Sequence, residues 1–316
     1  MRRPLVLLLL LLAAAARLAA SGIEDDELRR LPQPFSAGPF VRVYDPSRGE
    51  SAAWYINDHC FVRAADGTWH LFGITHPEPP VPQDEDQFAH ATAPSLLGPW
   101  TKQPFALTVD AAYGETHLWA PDVVEHGGLY YMFFNGGGAD PKRAQIELAT
   151  SPDLQHWTRL PSGPLFRDGY QARDPMVLRI GERWVMYYSA TSAPSGGHFV
   201  VAARTSDDLI HWSARATAFT SPASGTWTSN TESPFVVAHD GAYYLFIGPC
   251  GGYRGRNGYV CTDVYRSGDP LHFVPKAKVG RLRAHAAEVV RDELGRWFVS
   301  RAGWGQGGVY LAPLFF

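Results

Sequence analysis

One phrase recurs five times along this chain: a short turn, usually carrying Gly, followed by an aromatic β run. It reads Asp66-Gly67-Thr68-Trp69-His70-Leu71-Phe72, then Gly127-Gly128-Leu129-Tyr130-Tyr131-Met132-Phe133-Phe134, then Gly181-Glu182-Arg183-Trp184-Val185-Met186-Tyr187-Tyr188. The last two copies are Asp240-Gly241-Ala242-Tyr243-Tyr244-Leu245-Phe246 and Gly295-Arg296-Trp297-Phe298-Val299. The lead aromatics Trp69, Tyr130, Trp184, Tyr243 and Trp297 are spaced by 61, 54, 59 and 54 positions. Hydrophobic periodicity is two rather than 3.6, and no stretch reads as a long amphipathic helix. A strand repeat of this length is one blade of a β-propeller. The predicted fold is therefore all-β, a five-bladed β-propeller with four antiparallel strands per blade.

Each lead aromatic is preceded by an acidic or histidine residue. In order these are Asp58, Asp122, Asp174, Glu232 and His285, leading by 11, 8, 10, 11 and 12 positions. So constant a lead places them at one phase of the first strand of each blade, the strand that lines a propeller's channel. A carboxylate buried there costs free energy unless it is solvated, hydrogen-bonded or paired. Packing alone would put small apolar residues at these places. Asp58, Asp174 and Glu232 are therefore the candidate catalytic set.

Residues 1–21 read as a secretory signal: basic Arg2 and Arg3, an apolar run of 12 from Leu5 to Ala16, then small Ala19, Ala20 and Ser21. The run is short for a membrane span, which needs about 20 residues, so a membrane anchor is the weaker alternative. Export, to a secreted or periplasmic location, is expected. Residues 22–50 form a Pro-containing lead-in whose length suits closing the propeller or capping its bottom, and residues 51–316 form the propeller itself. Blade 4 is expected to end near 278 and blade 5 to begin at 279. Each blade should also carry a third strand rich in Ala, Thr and Val and a turn ending in an aromatic: Trp100, Trp157, Trp212 and Phe273, read as inter-blade core. Net charge is −3, without a basic run, so nucleic acid is not an expected partner. Of the three cysteines, Cys250 and Cys261 flank a Gly-rich loop and could bridge its base in an oxidising compartment, with Cys60 left as a buried strand residue.

The company of the candidate acids carries a resemblance. Asp58 lies in Trp54-Tyr55-Ile56-Asn57-Asp58-His59, and Asp122 in His117-Leu118-Trp119-Ala120-Pro121-Asp122-Val123-Val124. Asp174 lies in Arg173-Asp174-Pro175-Met176-Val177-Leu178, and Glu232 in Thr231-Glu232-Ser233-Pro234-Phe235-Val236-Val237. Over about residues 50–315 the chain resembles the five-bladed furanosidases, above all glycoside hydrolase family 43, with family 32 close by. Trp-Ala-Pro-Asp-Val is the phrase most specific to family 43. Asn57-Asp58 after a Trp leans toward family 32, although His59 breaks that family's motif, so neither first motif is complete.

The resemblance implies roles. Asp58 would be the general base that activates water, Glu232 the general acid, and Asp174 the carboxylate that orients Glu232 and raises its pKa. Carboxyl groups with separated pKa values are what glycoside hydrolysis uses. With room for a water between them the anomeric centre inverts; direct contact of Asp58 with the sugar would make it a nucleophile and retain configuration. Asn57, His117, Trp119, Asp122 and Arg173 would line the sugar pocket, with Trp119 offering a flat face, and Trp304 would stand at its mouth. The loop from His76 to Asp86 could wall one side. His285 matches a blade 5 histidine that in many members lies near a channel ion, often calcium; no cofactor is otherwise expected. Glu288, at odd offset from His285, should face away. The implied activity is hydrolysis of arabinofuranosides, xylosides or related plant-polysaccharide fragments by a monomer free of the membrane once its signal is removed. A fructofuranosidase, a transferase using the same residues and a carbohydrate-binding propeller without catalysis are the alternatives.

Overall fold

The recurrent aromatic phrase forms the second strand of every sheet in the structure, a computed structural model that describes residues 36–137, 140, 143–169, 171–193, 196–224, 231–248 and 261–316. The expected signal and Cys250 lie outside the described residues. Cys60 is a buried free thiol, and Cys261 is disulfide-bonded.

In chain order, the lead-in contributes β1 (Ser36–Ala37) and β2 (Val41–Tyr44). Blade 1 is β3 (Trp54–Arg63), β4 (Trp69–Pro77), β5 (Gln87–Ala93) and β6 (Thr101–Thr108). Blade 2 is β7 (His117–His126), β8 (Leu129–Gly137), β9 (Gln145–Ser151) and two short strands, β10 (Thr158–Arg159) and β11 (Phe166–Arg167), that both pair with β9. Blade 3 is β12 (Arg173–Ile180), β13 (Arg183–Ala193), β14 (Gly196–Ser206) and β15 (Ala216–Ser224). Blade 4 is β16 (Glu232–His239), β17 (Ala242–Gly248), β18 (Thr262–Ser267) and β19 (Lys278–Leu282). Blade 5 has β20 (Val289–Arg291), β21 (Trp297–Arg301) and β22 (Val309–Phe315). All pairings are antiparallel, in the order of a meander within each blade.

Two boundaries differ from the expected ones. Lys278–Leu282 pairs with β18, so blade 4 runs on to Leu282. Blade 5 takes its outer strand from the lead-in instead: β2 pairs with β22, with Val41 opposite Leu311, and β1 extends the same edge. The lead-in thus closes the ring, which removes the open edge β22 would otherwise present.

The core lies between blades. Trp157 of blade 2 meets Phe72 of blade 1 edge-on at 5.6 Å, and Trp212 of blade 3 meets Phe133 of blade 2 at 5.8 Å. Phe273 packs with Tyr187 across the seam of blades 3 and 4, and Trp100 with Phe298 across that of blades 1 and 5. Trp157 and Trp212 are half-buried; the fully buried rings, such as Phe72, Phe133 and Phe273, contribute roughly 1.5–3 kcal/mol each. The turns leading to Trp157 and Trp212 fold alike because their side chains cap them. Ser151 Oγ accepts from Leu154 N, and Asp153 Oδ1 from His156 N; Ser206 and Asp208 repeat the arrangement.

The inner strands carry the feature that shapes the channel. Their register slips between Ile56 and His59, Trp119 and Asp122, Arg173 and Met176, and Glu232 and Phe235. In blade 5, His285 O accepts from Ala302 N and Glu288 O from Ser300 N, leaving Ala286 and Ala287 between them. Each is a β-bulge, which bends a strand and re-aims its side chains. Ala120, Asp174, Ser233 and Ala286 sit in the left-handed region there, with φ of 49°, 54°, 48° and 47°. Such backbone costs about 1–2 kcal/mol per residue and clusters at functional sites. Opposite the first bulge stands Gly73, where a Cβ would come within 2.9 Å of Ile56 Cγ2.

Candidate active site

The bulges gather the candidate acids but do not leave them at one phase. Counted from the register slip, Glu232 lies just before the bulge in the position of Trp119, Arg173 and His285. Asp174 is the first bulge residue, Asp58 the second, and Asp122 and Glu288 follow it. The similar leads over the aromatics conceal four register positions along the inner strands. Asp58, Asp174, Ser233 and Glu288 line one cavity there.

Arg173 and Ser233 tie the acids together. Arg173 Nη1 donates to Glu232 Oε1 at 3.1 Å and to Asp174 Oδ2 at 3.3 Å. Asp174 Oδ2 also accepts from Ser233 N at 3.1 Å and Ser189 Oγ at 3.3 Å. The Ser233 hydroxyl donates to Asp58 Oδ1. Burial, with the neighbouring Asp174 charge adding, pushes the Asp58 carboxyl up to about 8, against the pull of the Ser233 hydroxyl. Burial also raises Asp174; Arg173 pulls it back down and Glu232 pushes it up. The Asp58 and Asp174 titrations are therefore linked.

The remaining sequence-predicted residues fall around this group. Asn57 is buried; its Oδ1 faces His285 Nε2 at 3.1 Å, and its carbonyl faces His59 Nδ1 at 3.0 Å. His59 Nε2 in turn meets Ser300 Oγ at 2.8 Å. His117 stacks on Trp119 with ring centroids 3.8 Å apart and bonds Asn135 Oδ1 at 3.1 Å. Asp122 is not among the residues lining the cavity and ties blade 2 to blade 3, accepting from Val177 N at 2.7 Å; burial lifts it to about 7. Trp304 Nε1 donates to Glu85 Oε1 at 2.9 Å.

Glu288 corrects an expectation. Simple alternation would turn it from His285's side, but the bulge at Ala286–Ala287 resets the alternation and puts Glu288 in the cavity wall. Burial raises it well above the carboxylate range, and Asp122 and Asp58 raise it further.

His285 is held low, at about 4, by burial, and so stays neutral as a metal ligand must. Calcium, however, takes six to eight oxygen ligands. Among the described residues no three His, Cys, Asp or Glu side chains converge as a metal set, and one ring nitrogen of His285 already serves Asn57.

Sequence reasoning missed Ser233, Glu288 and Glu85. Pro121, Pro175 and Pro234 were the available signal for the bulges, since a Pro inside a strand is confined to edges and bulges. Glu85 lies in the loop from His76 to Asp86 expected to wall the pocket, but no motif marks it within that loop.

Similarity to known proteins agrees with this geometry. Over 182 residues the chain is 28% identical to a probable arabinan endo-1,5-alpha-L-arabinosidase C of Aspergillus flavus, covering 52% of this chain and 53% of that protein. A probable arabinan endo-1,5-alpha-L-arabinosidase A of the same organism is 27% identical over 229 residues, covering 64% of this chain and 61% of that one. The chain thus spans about half to three fifths of the curated relatives it matches. Among solved structures, an endo-arabinase from Bacteroides thetaiotaomicron superposes with a TM-score of 0.68 at 15% identity, covering 87% of this chain and 98% of that one. A family 32 beta-fructofuranosidase from Bombyx mori gives 0.66 at 16%, covering 95% and 66%. These likenesses concern the fold. The family model of glycosyl hydrolases family 43 matches residues 97–279, more than half of the sequence, and the chain belongs to that family.

Proposed function

We propose that this protein is a glycoside hydrolase acting on arabinan, in which Asp58 is the general base and Glu232 the general acid. The observation that carries the reading is the linked group of acids from three blades: Asp58 held by the Ser233 hydroxyl, Asp174 by Ser233 N, and Glu232 joined to Asp174 through Arg173. A packing core has no use for three buried carboxyls in one place. The arabinanase names of the curated relatives support arabinofuranosyl bonds as the target. A lectin would need the aromatics but not the linked acids.

The chemistry follows from who holds each group. Asp58, pushed up to about 8, is a stronger base than an ordinary carboxylate. Once ionised it draws a proton from a water as that water attacks the anomeric carbon. Glu232 supplies a proton to the leaving oxygen, and Arg173, itself bonded to Asp174, holds its carboxyl. With water attacking, the centre inverts. Asn57-Asp58 favours a second course, shared with family 32, in which Asp58 attacks the sugar itself and configuration is retained. Export by the segment 1–21, supported by the apolar run Leu5–Ala16, and action as a monomer on polysaccharide complete the proposal.

The test is turnover of aryl arabinofuranoside, aryl xyloside, arabinan and fructan by the purified protein, with Glu232→Gln alongside. Arabinoside turnover that the variant loses is expected, and NMR of the first-formed anomer separates the two courses. Fructan as the only substrate would move the assignment to the second reading, and an unimpaired variant would remove Glu232 from the chemistry.

A further inference from the structure

Glu85 is a deeply buried carboxyl that the proposed chemistry does not use. It lies on the β4–β5 connection and is 1% exposed, and at that depth a carboxylate needs strong partners. Its Oε1 accepts from Tyr55 Oη at 2.7 Å and from Trp304 Nε1 at 2.9 Å. The Trp119 N–H is buried and makes no hydrogen bond of its own, and it acts on Glu85 in the same sense as the two bonded donors. These groups come from three blades: Tyr55 from β3, Trp119 from β7, and Trp304 from the β21–β22 connection. The backbone follows the same plan. Glu85 O accepts from Leu118 N at 2.8 Å, one residue before Trp119, and Gly305 N donates to Glu78 Oε1 at 2.8 Å.

The place matters. Tyr55 pairs with His76 near the end of β4, so the β4–β5 connection lies where the inner strands begin. The β21–β22 connection lies at the same end, since Ala302 N bonds His285 O. Trp119 holds in blade 2 the register position that Arg173 and Glu232 hold in blades 3 and 4. Packing would be served as well by Phe at Tyr55 and Trp304. Polar donors aimed at one carboxyl instead fix ring orientation, and an indole face is what a furanose ring stacks on.

We propose that Glu85 is a positioning residue that sets the Trp119 and Trp304 indoles as two walls of the sugar-binding mouth, gripping a linear furanosyl chain ahead of Asp58 and Glu232. This rests on the arabinan reading above. The experiment measures kcat and KM on linear arabino-oligosaccharides, with tryptophan fluorescence titrations, for the wild type, Glu85→Gln and Trp304→Phe. Trp304→Phe keeps a ring in place and removes the N–H donor, so it decides the matter should Glu85→Gln fail to fold. The expected result is a KM about tenfold higher in both variants, the scale of one hydrogen bond to a charged group. kcat should stay within about threefold, the pattern of lost binding, and the sugar-induced fluorescence change should weaken. A folded variant with wild-type KM and fluorescence response, or one that loses kcat alone, overturns the inference while leaving the arabinan reading intact. A wild type that neither turns over nor binds these sugars overturns both.

Discussion

Asp58 and Glu232 differ in what holds them, and that difference sets the pH behaviour. Asp58 receives a neutral hydroxyl from Ser233, whereas Glu232 receives a guanidinium from Arg173. The hydroxyl favours the charged form of Asp58 but does not offset burial, so the group rests at about 8. A base must be ionised to act, so the rate should fall as pH drops through that value. Ser233→Ala removes the hydroxyl that lowers the pKa, which moves it further up. The acid limb of kcat/KM should then shift to higher pH, and activity at pH 7 should fall by roughly tenfold. The pH–rate profile of the folded variant checks this, and an unmoved acid limb contradicts it. The three acids themselves were legible in the sequence because each sits in its own motif. Ser233 was not, because its contact with Asp58 spans 175 positions of chain; Pro234 signals a bulge there but not which residue the bulge aims at Asp58.

At the scale of the element, the inner-strand bulge decides which residues meet. The aromatic second strands obey simple alternation, so the phrase in the sequence read through to the fold directly. The first strands do not: two bulge residues in each blade break the count. That is why Asp122 and Glu288 sit deeper than Glu232 and why Glu288 lines the cavity. The bulge requires φ near +50° at Ala120, Asp174, Ser233 and Ala286, a conformation that β-branched residues resist most. Ala120→Val should therefore lower stability by about 1–2 kcal/mol. A lower urea midpoint at unchanged slope would show it. An unchanged midpoint would mean that this strand can straighten without cost.

Across the whole molecule, the ring is fastened by chain ends far apart in sequence. β2 joins β22, and the Glu85 cluster joins the mouth loops of blades 1 and 5 beside the same seam. The repeat length disclosed the five blades, but strand count alone left two uses for the lead-in open. The fifth blade has three strands of its own, and only the pairing shows that Val41–Tyr44 supplies the fourth. Removing residues 1–45 should expose the β22 edge, lower the melting temperature by several degrees and promote association through that edge. Differential scanning calorimetry with light scattering would detect both changes. A shortened chain that melts like the full one would show that the ring holds without its fastener.

The central claim is that Asp58 and Glu232 act together on arabinofuranosyl bonds. Its most direct test is the initial rate of reducing-end release from linear 1,5-arabinan by the wild type and by Asp58→Asn, both shown to melt alike. The account predicts turnover by the wild type and a loss of about 10²–10⁴-fold in the variant. Equal rates from the two proteins would contradict it.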